Sequence, residues 1–191
     1  MTGHTPTPPA PRRVDAERNR ARILDAARAA FAEPEADASM AEIARRAGIG
    51  SATLYRNFPH RRALLEALYV DELDAVCAAA NAGADRGPGP ALIAWLRSFY
   101  AYFTSKRPVA AELLEHTGGD DPVFGAGYAR VIAAGGPLLE AAQGAGEVRG
   151  DLSLEQILDM IGAIAKIPGE GAYREPILDA ALQALASVPG D

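Results

Sequence analysis

The chain lacks most of the features that mark secreted and membrane proteins. Cys77 is the single cysteine among 191 residues, which excludes a disulfide framework and a cysteine-rich metal site. No apolar run approaches the ~20 residues that a membrane-spanning helix needs. The proline-containing stretch at residues 1–14 has no apolar segment of the kind found in signal peptides, and we expect it to be a disordered arm. These absences predict a cytoplasmic protein with no membrane partner.

Motifs that mark enzymes are missing as well. The three histidines (His4, His60 and His116) are scattered, and the sequence contains no G-x-S-x-G, H-E-x-x-H, P-loop or dinucleotide motif. Cys77 lies in an alanine-rich stretch with no neighbouring residue that would activate it as a nucleophile. We therefore expect no catalytic residue, no metal and no cofactor.

Charge is divided unevenly along the chain. Residues 1–65 contain eleven arginines and seven acidic residues, a net charge of +4, whereas residues 66–191 contain eight basic and eighteen acidic residues, a net charge of −10. Such asymmetry suggests two parts with different partners. The sequence predicts a basic N-terminal domain at residues 15–65 and an acidic body at residues 66–191.

The apolar residues of the N-terminal part recur with helical spacing. Ile23, Ala27 and Phe31 predict a first amphipathic helix that Pro34 ends. Short second and third helices follow, and a long fourth helix begins after Pro59.

The body shows the same spacing, and no alternating strand pattern occurs, so the predicted fold is all-α. Residues 81–90 and 168–176, rich in glycine and proline, predict breaks between helices. One or two helices are expected between Asp121 and Gln143, interrupted at Gly135–Gly136. Ser153 with Gln156 forms a capping box that opens the penultimate helix.

The stretch "SMAEIARRAGIGSATLYRNF" predicts two helices joined by a tight turn. Ser39 with Glu42 is a capping box, and Gly48 suits a positive φ in the turn. A recognition helix over about residues 51–58 would pack through Leu54 and Phe58 and leave its polar side chains for base edges and phosphates. Helix pairs around a glycine also occur in ordinary cores, and that alternative stays open.

Two arginines, Arg61 and Arg62, open the fourth helix, where the helix dipole disfavours positive charge. A DNA phosphate at this helix end would compensate for their placement, since it would meet both guanidinium and free N–H groups. Solvated surface arginines are the alternative.

Residues from about Arg18 to Leu73 resemble the DNA-binding domain of the tetracycline-repressor (TetR) family. The resemblance lies in "RILDAARAAFAE", "SMAEIARRAGIGSATLYRNF" and "PHRRALLEAL", in that order and spacing. It implies that Ser39 and Arg61 hold phosphates of double-stranded operator DNA while the third helix reads bases. The sequence departs from the family at Gly50 and His60, which stand where Ser, Thr or Asn is common. The full predicted DNA-binding set is Ser39, Ser51, Ala52, Thr53, Tyr55, Arg56, Asn57 and Arg61.

The resemblance also implies a helical body that forms a homodimer and binds a small effector, so that the chain would be a transcriptional repressor released by its ligand. Aromatic residues concentrate in the middle of the chain, and apolar pockets suit a small apolar or amphipathic effector. The predicted ligand-binding residues are Trp95, Phe99, Tyr102, Phe103, His116, Phe124 and Tyr128. Plain core packing is the alternative for each of them.

The last two helices have long apolar faces with many small residues, which favours a four-helix interface between two subunits. Their predicted interface residues are Ile157, Ile161, Ile164, Ile177, Ala181 and Leu185. Closure of the monomer core is the alternative for these helices. For function, the alternative is an activator, or a regulator controlled by a protein partner.

Overall fold

The structure, a computed structural model, describes residues 11–33, 38–82, 84–105, 107–115 and 122–186. Within these ranges the regular structure is helical, and one isolated bridge pairs Val148 with Ala186. The all-α prediction is confirmed. The chain divides into two compact units, of which the first ends at Leu68 and the second begins at Tyr69; the sequence places this boundary after residue 65.

The first unit contains helices α1 (Pro11–Ala32), α2 (Met40–Arg46), α3 (Ser51–Asn57) and the first turns of α4 (Arg61–Ala79). Helices α1, α2 and α3 pack against one another. Apolar side chains at helical spacing form this core, because each helix presents one apolar face. The fully buried large side chains are Ile23, Ile43, Leu54, Phe58, Leu64 and Leu68.

Helix α1 begins earlier than the sequence predicts. It starts at Pro11, so residues 11–14 belong to a helix and not to the predicted arm. Proline suits the first position of a helix, because its missing N–H would have no partner there. Residues 1–10 and the predicted stop at Pro34 lie outside the described residues.

The second unit contains the rest of α4, a short 3-10 helix (Ala84–Arg86) and five further helices. These are α5 (Pro88–Ser105), α6 (Arg107–Glu115), α7 (Pro122–Gly144), α8 (Leu154–Lys166) and α9 (Gly171–Gln183). Helix α5 lies at the centre and packs against α7 and α8, and α9 packs against α8.

Three predicted breaks are shorter than expected or absent. Helix α5 already starts at Pro88, and α9 starts at Gly171 and continues through Pro176. Helix α7 runs without interruption through Gly135, Gly136 and Pro137, where the sequence predicts a break. Proline in a helix loses one hydrogen bond, and α7, which contains Pro137, packs against α5.

The capping box at the start of α8 is confirmed. The Ser153 N–H donates to Gln156 Oε1 at 2.9 Å, and the Gln156 N–H donates to Ser153 Oγ at 3.3 Å. Together the two bonds satisfy N–H groups that lack partners within the helix.

Four of the predicted interface residues are core residues of a single chain. Ile157, Ile161, Ile164 and Leu185 are buried within the second unit, and Leu178 and Leu182 form the buried side of α9. The interface prediction is therefore corrected at those four positions, because a buried side chain is not available to a partner subunit. Ile177 and Ala181 remain half-buried.

Candidate nucleic-acid interface and ligand cavity

The turn between α2 and α3 is a Schellman motif. Gly48 has φ +63°, its N–H donates to the Arg45 carbonyl, and the Ile49 N–H donates to the Ala44 carbonyl, both at 3.1 Å. This pattern closes a helix through a residue in the left-handed region, which glycine enters without steric cost. The turn thus fixes the direction in which α3 leaves α2, and Gly50 acts as the N-cap of α3.

Helix α3 buries one side and exposes the other. Leu54 is fully buried on the inner side, whereas Ser51, Ala52, Tyr55 and Arg56 are exposed. The outer side is therefore free to face DNA, as the helix-turn-helix prediction requires.

Arg56 and Asn57 are held against their own helix. Arg56 donates to the Ala52 carbonyl at 3.1 Å and to Thr53 Oγ1 at 3.0 Å, and Asn57 donates to the Thr53 carbonyl at 2.8 Å. Base contacts by either side chain would replace these local hydrogen bonds.

The arginines that open α4 have partners inside the first unit. Arg61 donates to the Ala38 carbonyl, and its guanidinium lies 5.3 Å from the centre of the Phe31 ring. Arg62 pairs with Glu66 one turn along the helix at 2.6 Å. These contacts explain the positions of both arginines without a phosphate. The contacts of Arg61 connect α4 to α1 and to the segment that precedes α2.

His60 supplies the N-cap of α4, at a position where Ser, Thr or Asn is common in the family. The Ala63 N–H donates to His60 Nδ1 at 3.1 Å, the same relation that an Oγ cap makes three residues into a helix. The imidazole accepts this bond only when Nδ1 carries no proton.

An ion-pair network ties α1 to α2. Both oxygens of Glu33 accept from Arg46, at 2.9 and 3.0 Å, and Glu42 accepts from Arg46 and Arg45. Hydrogen bonds from Arg45 and then Arg46 lower the pKa of Glu42 to about 2. Glu42 also gives its N–H to Ser39 Oγ at 3.3 Å, so Ser39 caps α2 as predicted.

The second unit contains a cavity of about 600 Å³ with a mainly apolar lining. Helices α4 to α8 all contribute to its wall. The lining residues are Tyr69, Leu73, Phe99, Tyr102, Phe103, Ala110, Ala111, Phe124, Gly127, Tyr128, Val131, Leu158, Asp159, Gly162 and Lys166.

Aromatic rings in mutual contact form one side of the cavity. The Tyr69 and Phe124 rings meet edge to face with centroids 5.1 Å apart, and Phe99 lies 5.9 Å from Phe103 and 6.3 Å from Tyr102. Burial, more than any other cause, raises the pKa of Tyr69 and Tyr102, whose hydroxyls are hydrogen-bonded to each other. Both hydroxyls therefore stay protonated at neutral pH.

Five of the seven predicted ligand-binding residues line this cavity: Phe99, Tyr102, Phe103, Phe124 and Tyr128. Trp95 does not, because its ring is buried beside α7 and its Nε1–H donates to the Val76 carbonyl at 3.1 Å. His116 lies outside the described residues.

Sequence reasoning missed the polar residues of the cavity. Asp159 and Lys166 enter it from α8, on either side of Gly162. Asp159, Gly162 and Lys166 are spaced by three and four residues, which places them on one face of the helix. That spacing was the feature of the sequence from which the polar part of the cavity wall could have been predicted.

Two family models match the chain. Residues 23–68 match the model of bacterial regulatory proteins of the tetR family, and residues 87–187 match that of the C-terminal domain of SbtR-like transcriptional regulators. Among curated proteins, none matches this chain.

Solved structures agree with the family models. The chain is similar to a TetR transcriptional regulator from Streptomyces coelicolor, with 36% identity over 88% of this chain and 99% of that one, at a TM-score of 0.75. It is also similar to a TetR regulator from Mycobacterium vanbaalenii, with 32% identity over 92% and 99% of the two chains, at a TM-score of 0.70. A helix-turn-helix unit joined to a helical body defines a DNA-binding transcriptional regulator, and this chain belongs to the TetR family.

A more distant structure shares the fold and was determined with a ligand. The TetR-like regulator LfrR from Mycobacterium smegmatis, in complex with proflavine, is 24% identical over 90% of this chain and 96% of that one, at a TM-score of 0.61.

No helix within the described residues is long and apolar enough to cross a membrane. No group of three or more His, Cys, Asp or Glu side chains in the described ranges is placed to hold a metal ion.

Proposed function

We propose that this protein is a homodimeric repressor that binds operator DNA through α3 and is released when a small apolar or amphipathic effector enters the cavity. The observation that carries the proposal is the aromatic cavity of about 600 Å³ in the second unit of a TetR-family regulator.

The exposed side of α3 supports the DNA-binding part. Ser51, Tyr55 and Arg56 project from it, and Thr53 and Asn57 are partly accessible. Arginine reads guanine and asparagine reads adenine in the major groove, while the hydroxyl groups suit phosphates or base edges. We assign base reading to Arg56 and Asn57, and phosphate binding to Ser39 and Arg61.

The size and lining of the cavity support the effector. Small-molecule sites have volumes of about 300–1,000 Å³, are largely apolar and contain few polar groups. The cavity fits this description, and a structure of the same fold holds proflavine. A second, RolR in complex with resorcinol, is 21% identical over 92% of this chain and 91% of that one, at a TM-score of 0.54.

An outward face on the last two helices supports the homodimer. Its residues recur at helical spacing and are exposed or half-buried, and Tyr173 is 64% exposed. A second copy is the expected occupant, because helix-turn-helix proteins usually dimerise to span two half-sites. This face, which we call the outer face, consists of Met160, Ala163, Ile167, Tyr173, Ile177, Ala180 and Ala184.

Selection of bound duplexes from a random pool tests the proposal. We expect enrichment of a palindrome whose half-sites lie about 34–36 Å apart, centre to centre. Transcription in vitro from a promoter that overlaps the selected site should then fall when the protein is added. Stimulation of transcription would support an activator instead, and failure to enrich any site would contradict operator binding.

A further inference from the structure

The charged residues of the cavity define its ligand more closely than its apolar lining does. Helix α8 directs Asp159, Gly162 and Lys166 at the cavity, and two helical turns separate the two charged residues. Seven residues at 1.5 Å per residue correspond to about 10 Å along the helix axis. An acid and a base thus lie at opposite ends of one wall.

Within the described part of the chain, neither charge is paired with an oppositely charged side chain. Among the described residues, no ion pair involves Asp159 or Lys166, whereas Arg97 and Asp179 of the same unit form one at 2.6 Å. A ligand is therefore free to pair with either group.

Aromatic rings accompany both charges. The Lys166 ammonium lies 5.7 Å from the centre of the Phe103 ring. Tyr128 lies near Asp159. Burial is the largest cause that raises the pKa of the Tyr128 phenol, and the negative charge of Asp159 is the next. Between Asp159 and Lys166, Gly162 has no side chain, and a Cβ there would come within 3.6 Å of Phe103. The Phe103 ring thus lies beside Gly162 at van der Waals distance, and the wall between the two charges is apolar and aromatic.

We propose that the effector is a bipolar aromatic molecule, with a cationic group that pairs with Asp159, a flat apolar centre that packs against Phe103 and an anionic group that pairs with Lys166. This inference rests on the proposed function, because it specifies the ligand of the same cavity. A ligand with one charge would satisfy only one end of the α8 wall.

Three biphenyls test the proposal by calorimetric titration of the full chain. The first carries an aminomethyl group at one para end and a carboxylate at the other, the second carries only the aminomethyl group, and the third carries only the carboxylate. We expect the bipolar compound to bind more tightly than either of the others by about 2- to 5-fold, the value of an exposed ion pair.

Variants should separate the two ends. Asp159→Asn should weaken both ammonium compounds by about 2- to 5-fold and leave the carboxylate compound unchanged, and Lys166→Gln should do the reverse. Glu140→Gln and Arg149→Gln are matched controls, since both residues are exposed and lie outside the cavity lining. Neither should change the affinity for any compound.

The ligand class would be overturned if no compound binds, if the bipolar compound binds no better than the best singly charged one, or if the variants affect all compounds equally. If Lys166 serves only the dipole at the end of α8, Lys166→Gln will lower the melting temperature without weakening carboxylate binding, which also overturns it. DNA selection with the unliganded protein tests the proposed function separately, so its failure is distinguishable from that of the ligand class.

Discussion

The indole ring of Trp95 occupies the space that a side chain at Gly135 would need. An ideal Cβ on Gly135 would lie 2.8 Å from Cζ2 of Trp95 and closer still to Cη2. The ring is held in place by the bond from Nε1 to the Val76 carbonyl and is 1% exposed. This contact brings α7 against α5 and explains a glycine in the middle of a helix.

Gly135→Ala should therefore destabilise the second unit by about 1–3 kcal/mol, because an added methyl group would overpack the contact with Trp95. Gly136→Ala is the matched control, since a Cβ there meets nothing within 4 Å. Alanine should stabilise that position by about 0.5–1 kcal/mol. Urea unfolding of both variants measures the difference, and equal stability of the two would contradict the packing role.

Features that depend only on residues close together in the sequence were predictable. The Ser39 and Ser153 caps and the positive φ of Gly48 follow local rules, and each is present in the structure. The continuity of α7 was not predictable, because the partner that makes Gly135 favourable is forty residues away in the sequence.

The candidate sites, too, were predictable from the sequence only in part. Aromatic residues of the cavity stood out as a cluster in the sequence, whereas Asp159 and Lys166 became visible only when α8 was seen to face that cavity. Periodicity alone could not separate the core side of α8 from its outer side, because the helix has two sides with apolar residues. Contacts with other helices decide which side is buried: Ile161 is buried, whereas Met160 is half-buried.

Arg61→Ala should have two effects if Arg61 combines a structural contact with phosphate binding. Loss of the bond to the Ala38 carbonyl should cost about 1 kcal/mol of stability. Operator and random DNA should both bind more weakly, and the slope of log K against log salt should flatten by about 0.9 for one lost phosphate contact. Arg62→Ala, which breaks the pair with Glu66, is the control. An unchanged salt slope for Arg61→Ala would make its role purely structural.

Arg56→Ala and Asn57→Ala should reduce discrimination between operator and random DNA. A lost bidentate base contact is worth about 1–3 kcal/mol. Competition binding with operator and random duplexes measures this ratio, with Arg45→Ala as a control for the lost positive charge, because Arg45 pairs with Glu42. Equal losses on both duplexes would mean that neither residue reads bases.

Tyr173→Glu and Ala180→Glu should convert the proposed dimer to folded monomers, because they place charge on the outer face. Glu175→Lys is the control, since this exposed residue lies on the opposite side of α9. Sedimentation velocity gives the oligomeric state, and circular dichroism shows whether each variant is folded. Variants that are folded and still dimeric would remove the outer face from the interface.

We propose that the cavity and the operator-binding surface are coupled along helix α4, which contains both Arg61 and the cavity residue Tyr69. The decisive measurement is calorimetric titration of the best ligand from a thermal-shift screen into the protein, with and without saturating operator duplex. A coupling energy of about 1–3 kcal/mol would make operator weaken ligand binding about 5- to 150-fold, since linkage is reciprocal. Phe99→Ala should weaken the ligand in both titrations. The same ligand affinity with and without operator would contradict this coupling.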